Sequence, residues 1–192
     1  MSKKNNFNII SILQEHGAIL KGHFQLPNGL HSENYIQTFL VTQYPHLLTK
    51  ISQEMSDLFK KSTATVILAP TPKISVLAQE IARLRKARAV FAEKYKGDSM
   101  KIKKALAPKK GDKVLIVDDV TTTGKLISAA IALCKSSGAE IIGVASVADR
   151  SVGDLGLQVP IRALMSFPLE TYTEEKCPLC KKRIPLQLYT KF

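Results

Sequence analysis

VLIVDDVTTTGK, running from Val114 to Lys125, is the stretch that decides how this chain folds. Val114 to Val117 are uniformly apolar and read as a short buried strand. Two adjacent acids follow, Asp118 and Asp119, and then a threonine-rich loop. The spacing predicts a helix from Lys125 to Ser136, with Gly138 at its end. In open α/β sheets ligands collect beyond the C-terminal ends of the strands, so the acids fall where a site is expected. Thr121, Thr122, Thr123, Gly124 and Lys125 offer backbone N–H groups and hydroxyls at a helix N-terminus, which suits a monophosphate. Gly124 has no Cβ and permits close approach. The carboxylates would repel that phosphate. They suit the hydroxyls of a vicinal sugar diol, or a metal met through water. Diol acceptors beside a phosphate cradle describe a ribose 5-phosphate site. A P-loop is disfavoured, because there is no Gly-x4-Gly-Lys-Ser/Thr and Leu126 follows the lysine.

Outward from this segment, strands and helices alternate. Thr65 to Ala69 reads as a buried strand, Pro70 to Lys73 as a loop, Ile74 to Arg85 as a helix and Arg88 to Ala92 as a strand. Glu140 to Val147 is the strand after the Lys125 helix. That order implies an α/β fold with a mainly parallel sheet flanked by helices. Towards the N-terminus, Asn5 to Gly17 reads as a helix capped by Asn5 or Asn6. Ile19 to Leu26 alternates weakly and stops at the turn Pro27-Asn-Gly29, and Pro45 opens a helix to about Lys60. No repeat or linker interrupts residues 1–192, so one domain is expected.

Bulk properties narrow the function classes. A domain of 192 residues buries roughly 70 % of its unfolded surface and needs no covalent staple. No apolar run reaches the ~20 residues needed to span a bilayer, and the N-terminus lacks the pattern of a secretory signal. Three cysteines make no disulfide framework, so a reducing cytoplasm is the expected compartment. The net charge of +12 favours anionic partners. Its lysines and arginines gather in Arg83 to Arg88, Lys94 to Lys113 and Lys176 to Arg183 rather than in one tail. The stretch 93–113 holds eight lysines and is long for an αβ connection. It reads as a mobile cationic cover over an anionic substrate, or as a solvated β-hairpin without chemistry. Cys177-Pro-Leu-Cys180 supplies two metal ligands where a closed zinc site needs four. His16, His23, His31 and His46 are distant in sequence, so zinc at Cys177 and Cys180 is not expected.

The Val114 to Lys125 segment resembles the signature of type I phosphoribosyltransferases, which bind 5-phosphoribosyl-1-pyrophosphate (PRPP). The resemblance implies that Asp118 and Asp119 hold the ribose hydroxyls and that Val120, Thr121, Thr122, Thr123, Gly124 and Lys125 hold the 5-phosphate. Further segments resemble the orotate branch: Gly22-His-Phe24, Gly29-Leu-His-Ser32, Tyr35, Val41-Thr-Gln-Tyr-Pro45, Phe91-Ala-Glu93 with Met100, Asp149-Arg150 and Cys177 to Pro185. The fold so implied carries a small hood, built from about 1–40 and 160–192. The implied reaction displaces pyrophosphate from C1 of PRPP by a ring nitrogen of orotate, giving orotidine 5-phosphate. Mg²⁺ would bridge substrate oxygens near Asp118 and Asp119, reaching the protein mainly through water. Lys73 would meet pyrophosphate. Lys94, with Lys96 and Lys103 behind it, would add positive charge during transfer, with Asp119 beside them.

For the base, the resemblance implies Arg150 on the orotate carboxylate, with Tyr35 and Thr122 nearby. An arginine at a strand's C-terminal end can also be read from chemistry alone as a fork for a planar carboxylate. A homodimer sharing its active sites is implied as well. The chain departs from the family in Ala69-Pro-Thr-Pro-Lys-Ile-Ser75, where a glycine-rich pyrophosphate loop is usual, in Pro27-Asn28 and in Lys125-Leu126. Those departures keep two other readings open: a paralogue acting on another base, and a non-catalytic PRPP sensor that binds RNA with its basic surface.

Overall fold

The computed structural model describes residues 7–26, 28–95, 99–167 and 170–188. In chain order the elements are α1 (Ile9–Glu15), β1 (Ile19–Gln25), β2 (His31–Ile36), α2 (Phe39–Thr42), α3 (Pro45–Asp57), β3 (Val66–Ala69), α4 (Ser75–Arg85), β4 (Arg88–Phe91), β5 (Glu93–Lys94), β6 (Met100–Lys101), β7 (Lys113–Thr121), α5 (Lys125–Ser136), β8 (Glu140–Asp149), β9 (Ile161–Ser166), α6 (Pro178–Lys181) and β10 (Gln187–Leu188). The chain divides into two compact units. One comprises residues 1–43 and 168–192, the other Tyr44–Phe167.

The larger unit is built on a five-stranded sheet in the order β4-β3-β7-β8-β9, every neighbouring pair parallel. Continuous apolar runs put it there, because a parallel sheet must be covered on both faces. Side chains alternate along a strand. Val66, Leu68, Val114 and Ile116 join Ile127, Ala130, Ile131 and Cys134 of α5 in one buried cluster. Ile67, Leu115 and Val117, at the alternate positions, are just as inaccessible. Helix α4 packs on β3 and β4, and α3 packs on α4 and β8. The arrangement is the α/β fold expected from the sequence. Strand β9, whose residues the sequence reading grouped with the hood, is instead an edge strand of this sheet. Its pattern half-exposes Ile161 and Ala163, which is why it carried no strong apolar signal.

Two local devices hold this unit together. Arg85, at the end of α4, donates to the carbonyls of Ser56, Phe59 and Ser62, satisfying the chain just past the end of α3. Gly143 sits where β8 shifts register against β7. A Cβ there would lie 2.3 Å from a Phe59 ring carbon and 2.7 Å from the Pro160 carbonyl oxygen. The break that this glycine makes in the apolar run is therefore a packing requirement.

In the smaller unit β1 pairs antiparallel with β2 and parallel with β10. Helix α1 is capped by Asn8, whose side chain accepts from the N–H groups of Ile10 and Ser11 at 3.0 and 3.3 Å. The expected caps Asn5 and Asn6 lie outside the described residues. Asn8 serves because its extended backbone stops the helix directly before buried Ile9. Leu13, Phe24, Ile36 and Val41 form the buried interior.

Gly143→Ala should destabilise the fold by about 1–3 kcal/mol through overpacking against Phe59. Urea unfolding of the two proteins would measure this, and an unchanged midpoint would contradict the packing argument.

Candidate active site at the sheet switch point

Strand β7 runs further than its apolar stretch predicts, to Thr121, so both acids lie within the strand rather than in a loop beyond it. Pairing with β8 carries it on: Asp118 lies opposite Ser146 and Thr121 opposite Asp149. Both carboxylates are buried, Asp118 being 8 % and Asp119 6 % exposed. The backbone gives each a donor. Asp119 N–H donates to Asp118 Oδ1 at 2.9 Å, and Val120 N–H donates to Asp119 Oδ1 at 2.9 Å. Burial first, and the neighbouring Asp119 charge second, push the Asp118 carboxyl well above the usual carboxylate range.

Strand order explains why charge gathers here. From β3 the chain moves outward to β4, then returns to β7 on the other side of β3. The crevice between the C-terminal ends of β3 and β7 is thus the topological switch point. Lys73 follows β3, and its Nζ lies 3.0 Å from Asp119 Oδ2 across that crevice. Lys73 remains half exposed while its partner is buried. The glycine-free segment from Ala69 to Ser75 reaches this position with ordinary backbone. Thr71 is extended, Pro72–Ile74 form a 3₁₀ turn, and no residue of the segment has positive φ. A loop built this way has no need of glycine.

The loop and the helix after β7 begin where the sequence reading put them. Thr122 and Thr123 are exposed, and α5 begins at Lys125. Gly124 precedes the helix in the left-handed region (φ 69°), and a Cβ there would press on Leu155 and Leu157 at 3.2 and 3.3 Å. Conformation favours glycine at this position, and a Cβ would in addition push the two leucine side chains back by a few tenths of an ångström. No side chain caps α5, so its first N–H groups face the loop. Two hydroxyls close by, Thr121 Oγ1 and Ser146 Oγ, are buried without a hydrogen-bond partner among the described residues. Arg150 directly follows β8 and is buried, and its backbone N–H donates to Thr121 O at 2.8 Å, so it stands in the same layer as the acids.

Other expected residues stand on other elements. Lys94 lies on β5, which pairs with β6 in a short antiparallel hairpin. Lys96 is outside the described residues, and Lys103 is exposed before a 3₁₀ turn at Lys104–Leu106. Met100 and Ile102 pack on the α5 face of the core, so this part of the 93–113 stretch is anchored. Tyr35 is half-buried on β2 of the smaller unit, its ring centroid 5.8 Å from that of Phe24. Oxygen donors at the acid pair fit a hard divalent cation. Their partly engaged oxygens offer too few ligands for an all-protein cage, which fits a magnesium ion held mainly by substrate and water.

One cluster escaped the sequence reading. His23 and His31 lie against Cys177 and Cys180, with one ligand atom of each within 4.8 Å of the others. Distance along the chain had set the histidines aside, yet pairing of β1 with β2 brings them together. The paired cysteines were the signal that could have prompted a search for them.

The phosphoribosyl transferase domain model matches residues 41–157. The chain is 40 % identical over 178 residues to the orotate phosphoribosyltransferase of Thermoanaerobacter sp. (strain X514), spanning 93 % of each protein. It is 36 % identical over 179 residues to an orotate phosphoribosyltransferase of Thermus thermophilus, spanning 93 % of this chain and 98 % of that one. Among solved structures, the orotate phosphoribosyltransferase from Aeropyrum pernix superposes with a TM-score of 0.72 at 20 % identity, covering 83 % of this chain and 94 % of its own. A family model that matches more than half of the chain and relatives 36–40 % identical over nearly all of it show that the chain belongs to the phosphoribosyltransferase family, in its orotate phosphoribosyltransferase branch.

Proposed function

We infer that the protein transfers the 5-phosphoribosyl group between PRPP and orotate, forming orotidine 5-phosphate and pyrophosphate in pyrimidine nucleotide synthesis. The observation that carries this reading is the buried Asp118–Asp119 pair beside the uncapped start of α5, at the switch point of a parallel sheet. Kinship to named orotate phosphoribosyltransferases over nearly the whole chain favours orotate above another base, and catalysis above an RNA-binding role.

In this proposal each group has a task set by its chemistry. The N–H groups of Thr122 to Lys125 receive the 5-phosphate, and the buried Thr121 hydroxyl gains the partner it lacks in the free protein. Asp118 and Asp119 accept from the ribose 2- and 3-hydroxyls. Lys73, now paired with Asp119, turns to pyrophosphate when PRPP enters, a short movement for a half-exposed side chain. Arg150 forks onto the orotate carboxylate. Lys94, Lys96 and Lys103 add charge to the departing pyrophosphate. Asp118 and Asp119 would hold a magnesium ion through water, and the ion would supply positive charge toward the substrate. A homodimer belongs to the same proposal, and light scattering should find about twice the chain mass of 21.2 kDa. No described helix is long and apolar enough to cross a membrane, and a cytoplasmic location is proposed with the function.

Loss of orotate absorbance on adding PRPP and Mg²⁺ tests the activity directly; orotate that stays unconsumed while other bases react would move the assignment to another acceptor. Lys73→Ala should change stability by less than about 1 kcal/mol, because water screens the half-exposed Lys73 ammonium even though Asp119 is buried. It should nonetheless lower kcat/KM for PRPP by roughly a hundredfold. Steady-state kinetics beside urea unfolding separate the two effects.

Asp118→Asn tests the acid pair with a sign that only a functional burial predicts. The folded-state pKa of Asp118 is raised above the unfolded value near 3.9, so the native chain binds more protons than the unfolded one between the two values. Wild-type stability should therefore fall as pH rises from about 4 towards the raised pKa, and Asp118→Asn should lack that loss. The variant should be more stable at pH 7 and bind PRPP about 10- to 100-fold more weakly. Calorimetric titration and unfolding at pH 5 and 8 would measure both. A variant less stable at pH 8 would count against a carboxylate held there for its ligand.

A further inference from the structure

The cluster in the smaller unit has the chemistry of a metal centre that phosphoribosyl transfer does not use. His23 stands on β1, His31 opens β2, and Cys177 and Cys180 flank the first turn of α6. The nitrogens His23 Nε2 and His31 Nδ1 are 2.9 Å apart. Cys177 Sγ is 3.5 Å from His23 Nε2, while Cys180 Sγ is 3.6 Å from His23 Nε2 and 3.2 Å from His31 Nδ1. A tetrahedral zinc ion with bonds of about 2.0 Å to nitrogen and 2.3 Å to sulfur sets its ligand atoms about 3.3 to 3.8 Å apart. All four ligand atoms lie within 4.8 Å of one another, so small side-chain shifts, among them parting the two imidazoles by a few tenths of an ångström, bring the cluster to that size.

Three further observations point the same way. His23 Nδ1–H donates to the Ile184 carbonyl at 2.8 Å, which fixes the tautomer and turns the Nε2 lone pair towards the sulfurs. His23, His31 and Cys177 are almost wholly buried, at 1 %, 2 % and 0 % exposure. The four residues also tie the turn that carries α6 to β1 and β2, within a small unit whose interior is modest and whose β10 pairs through only two residues.

We propose that His23, His31, Cys177 and Cys180 bind one structural zinc ion that fastens the C-terminal segment to the β1–β2 hairpin. On binding, both thiols lose their protons to solvent, two protons for each Zn²⁺. Two thiolates and two neutral imidazoles around Zn²⁺ make a site of zero net charge, which is what a buried position tolerates. All four coordination positions come from protein, so the site is closed and its role is structural rather than catalytic. The proposal stands on the smaller unit alone and is independent of the transfer reaction.

Elemental analysis of the full chain, purified under reducing conditions without chelator, should find about one zinc per chain. Cobalt(II) exchanged into the wild-type protein should give thiolate-to-cobalt charge-transfer absorption and strong tetrahedral d–d bands. Zinc titration of the stripped protein in weak buffer should release about two protons per metal. Chelation should raise hydrogen exchange across β1, β2 and Cys177 to Ile184 and leave the five-stranded sheet unchanged. Cys180→Ser and His31→Ala should each lower the zinc content at least tenfold, whereas Cys134→Ala, which alters the third cysteine outside the cluster, should retain it. Because the wild-type measurements need no variant to fold, they decide the matter. Wild-type protein that binds neither zinc nor cobalt, or that holds a Cys177–Cys180 disulfide in reducing buffer, would overturn the proposal. Zinc retained in both cluster variants would overturn the ligand assignment.

Discussion

Two carboxylates side by side in a dry strand end repel each other and lose their hydration, and much of the larger unit is arranged around that cost. Backbone N–H groups from Asp119 and Val120 and the Lys73 ammonium offset it in part. What remains uncompensated shows in Asp118, whose carboxyl is pushed towards its neutral form. A chain selected for stability alone would place apolar or amide side chains there. Retaining the pair makes sense where a ligand rich in hydroxyls offsets the burial on arrival. The Thr121 hydroxyl, buried without a partner among the described residues, follows the same logic, since a buried donor left unsatisfied costs about 1–3 kcal/mol until something binds it.

The lysine across the crevice gives the arrangement its switch-like character. Lys73 neutralises Asp119 in the free protein, so the acid pair never confronts the sheet interior with two bare charges. In the proposed reaction the same ammonium would meet a stronger partner in the anionic leaving group. A hydroxyl from the sugar can then replace it at Asp119. In the proposed reaction the Ala69 to Ser75 segment can be proline-rich, because it would deliver a long flexible side chain from a stiff 3₁₀ turn rather than wrap backbone amides around the pyrophosphate. A rigid support with one mobile cation is a different solution from a glycine-lined loop. Pro72 suits the first, since its fixed φ stiffens the turn, and would obstruct the second, since it has no N–H to offer.

How legible all this was in the sequence depends on how local the determining force is. VLIV followed by DD and TTTGK specifies strand, loop and helix within twelve residues, since burial and helix initiation are decided by neighbours along the chain. The strand's continuation to Thr121 was hidden because it is set by pairing with β8, which lies across the sheet. Strand β9 was invisible for a related reason: an edge strand with half-exposed residues lacks the apolar run that marks β3 and β7. The caps shifted from Asn5 or Asn6 to Asn8 because several asparagines stand in series and only the burial of Ile9 selects among them. The Lys73–Asp119 pair joins segments separated by a whole β-α-β crossover, and no local pattern announces it.

His23, His31, Cys177 and Cys180 show the limit most sharply. Each half of the cluster is commonplace on its own: two histidines near a turn, two cysteines around a proline. The first half becomes meaningful only when β1 and β2 pair with a bulge between Lys21 and Phe24, which alters the alternation of β1 just before His23. The second becomes meaningful only when the turn of α6 folds back so that the Ile184 carbonyl meets His23 Nδ1. Neither event is favoured by local propensity, since a two-residue β10 and a four-residue α6 are too short to persist alone. A small unit assembled from the two ends of a chain must therefore draw its order from long-range bonds, and the strongest that these four side chains can form is through a shared cation.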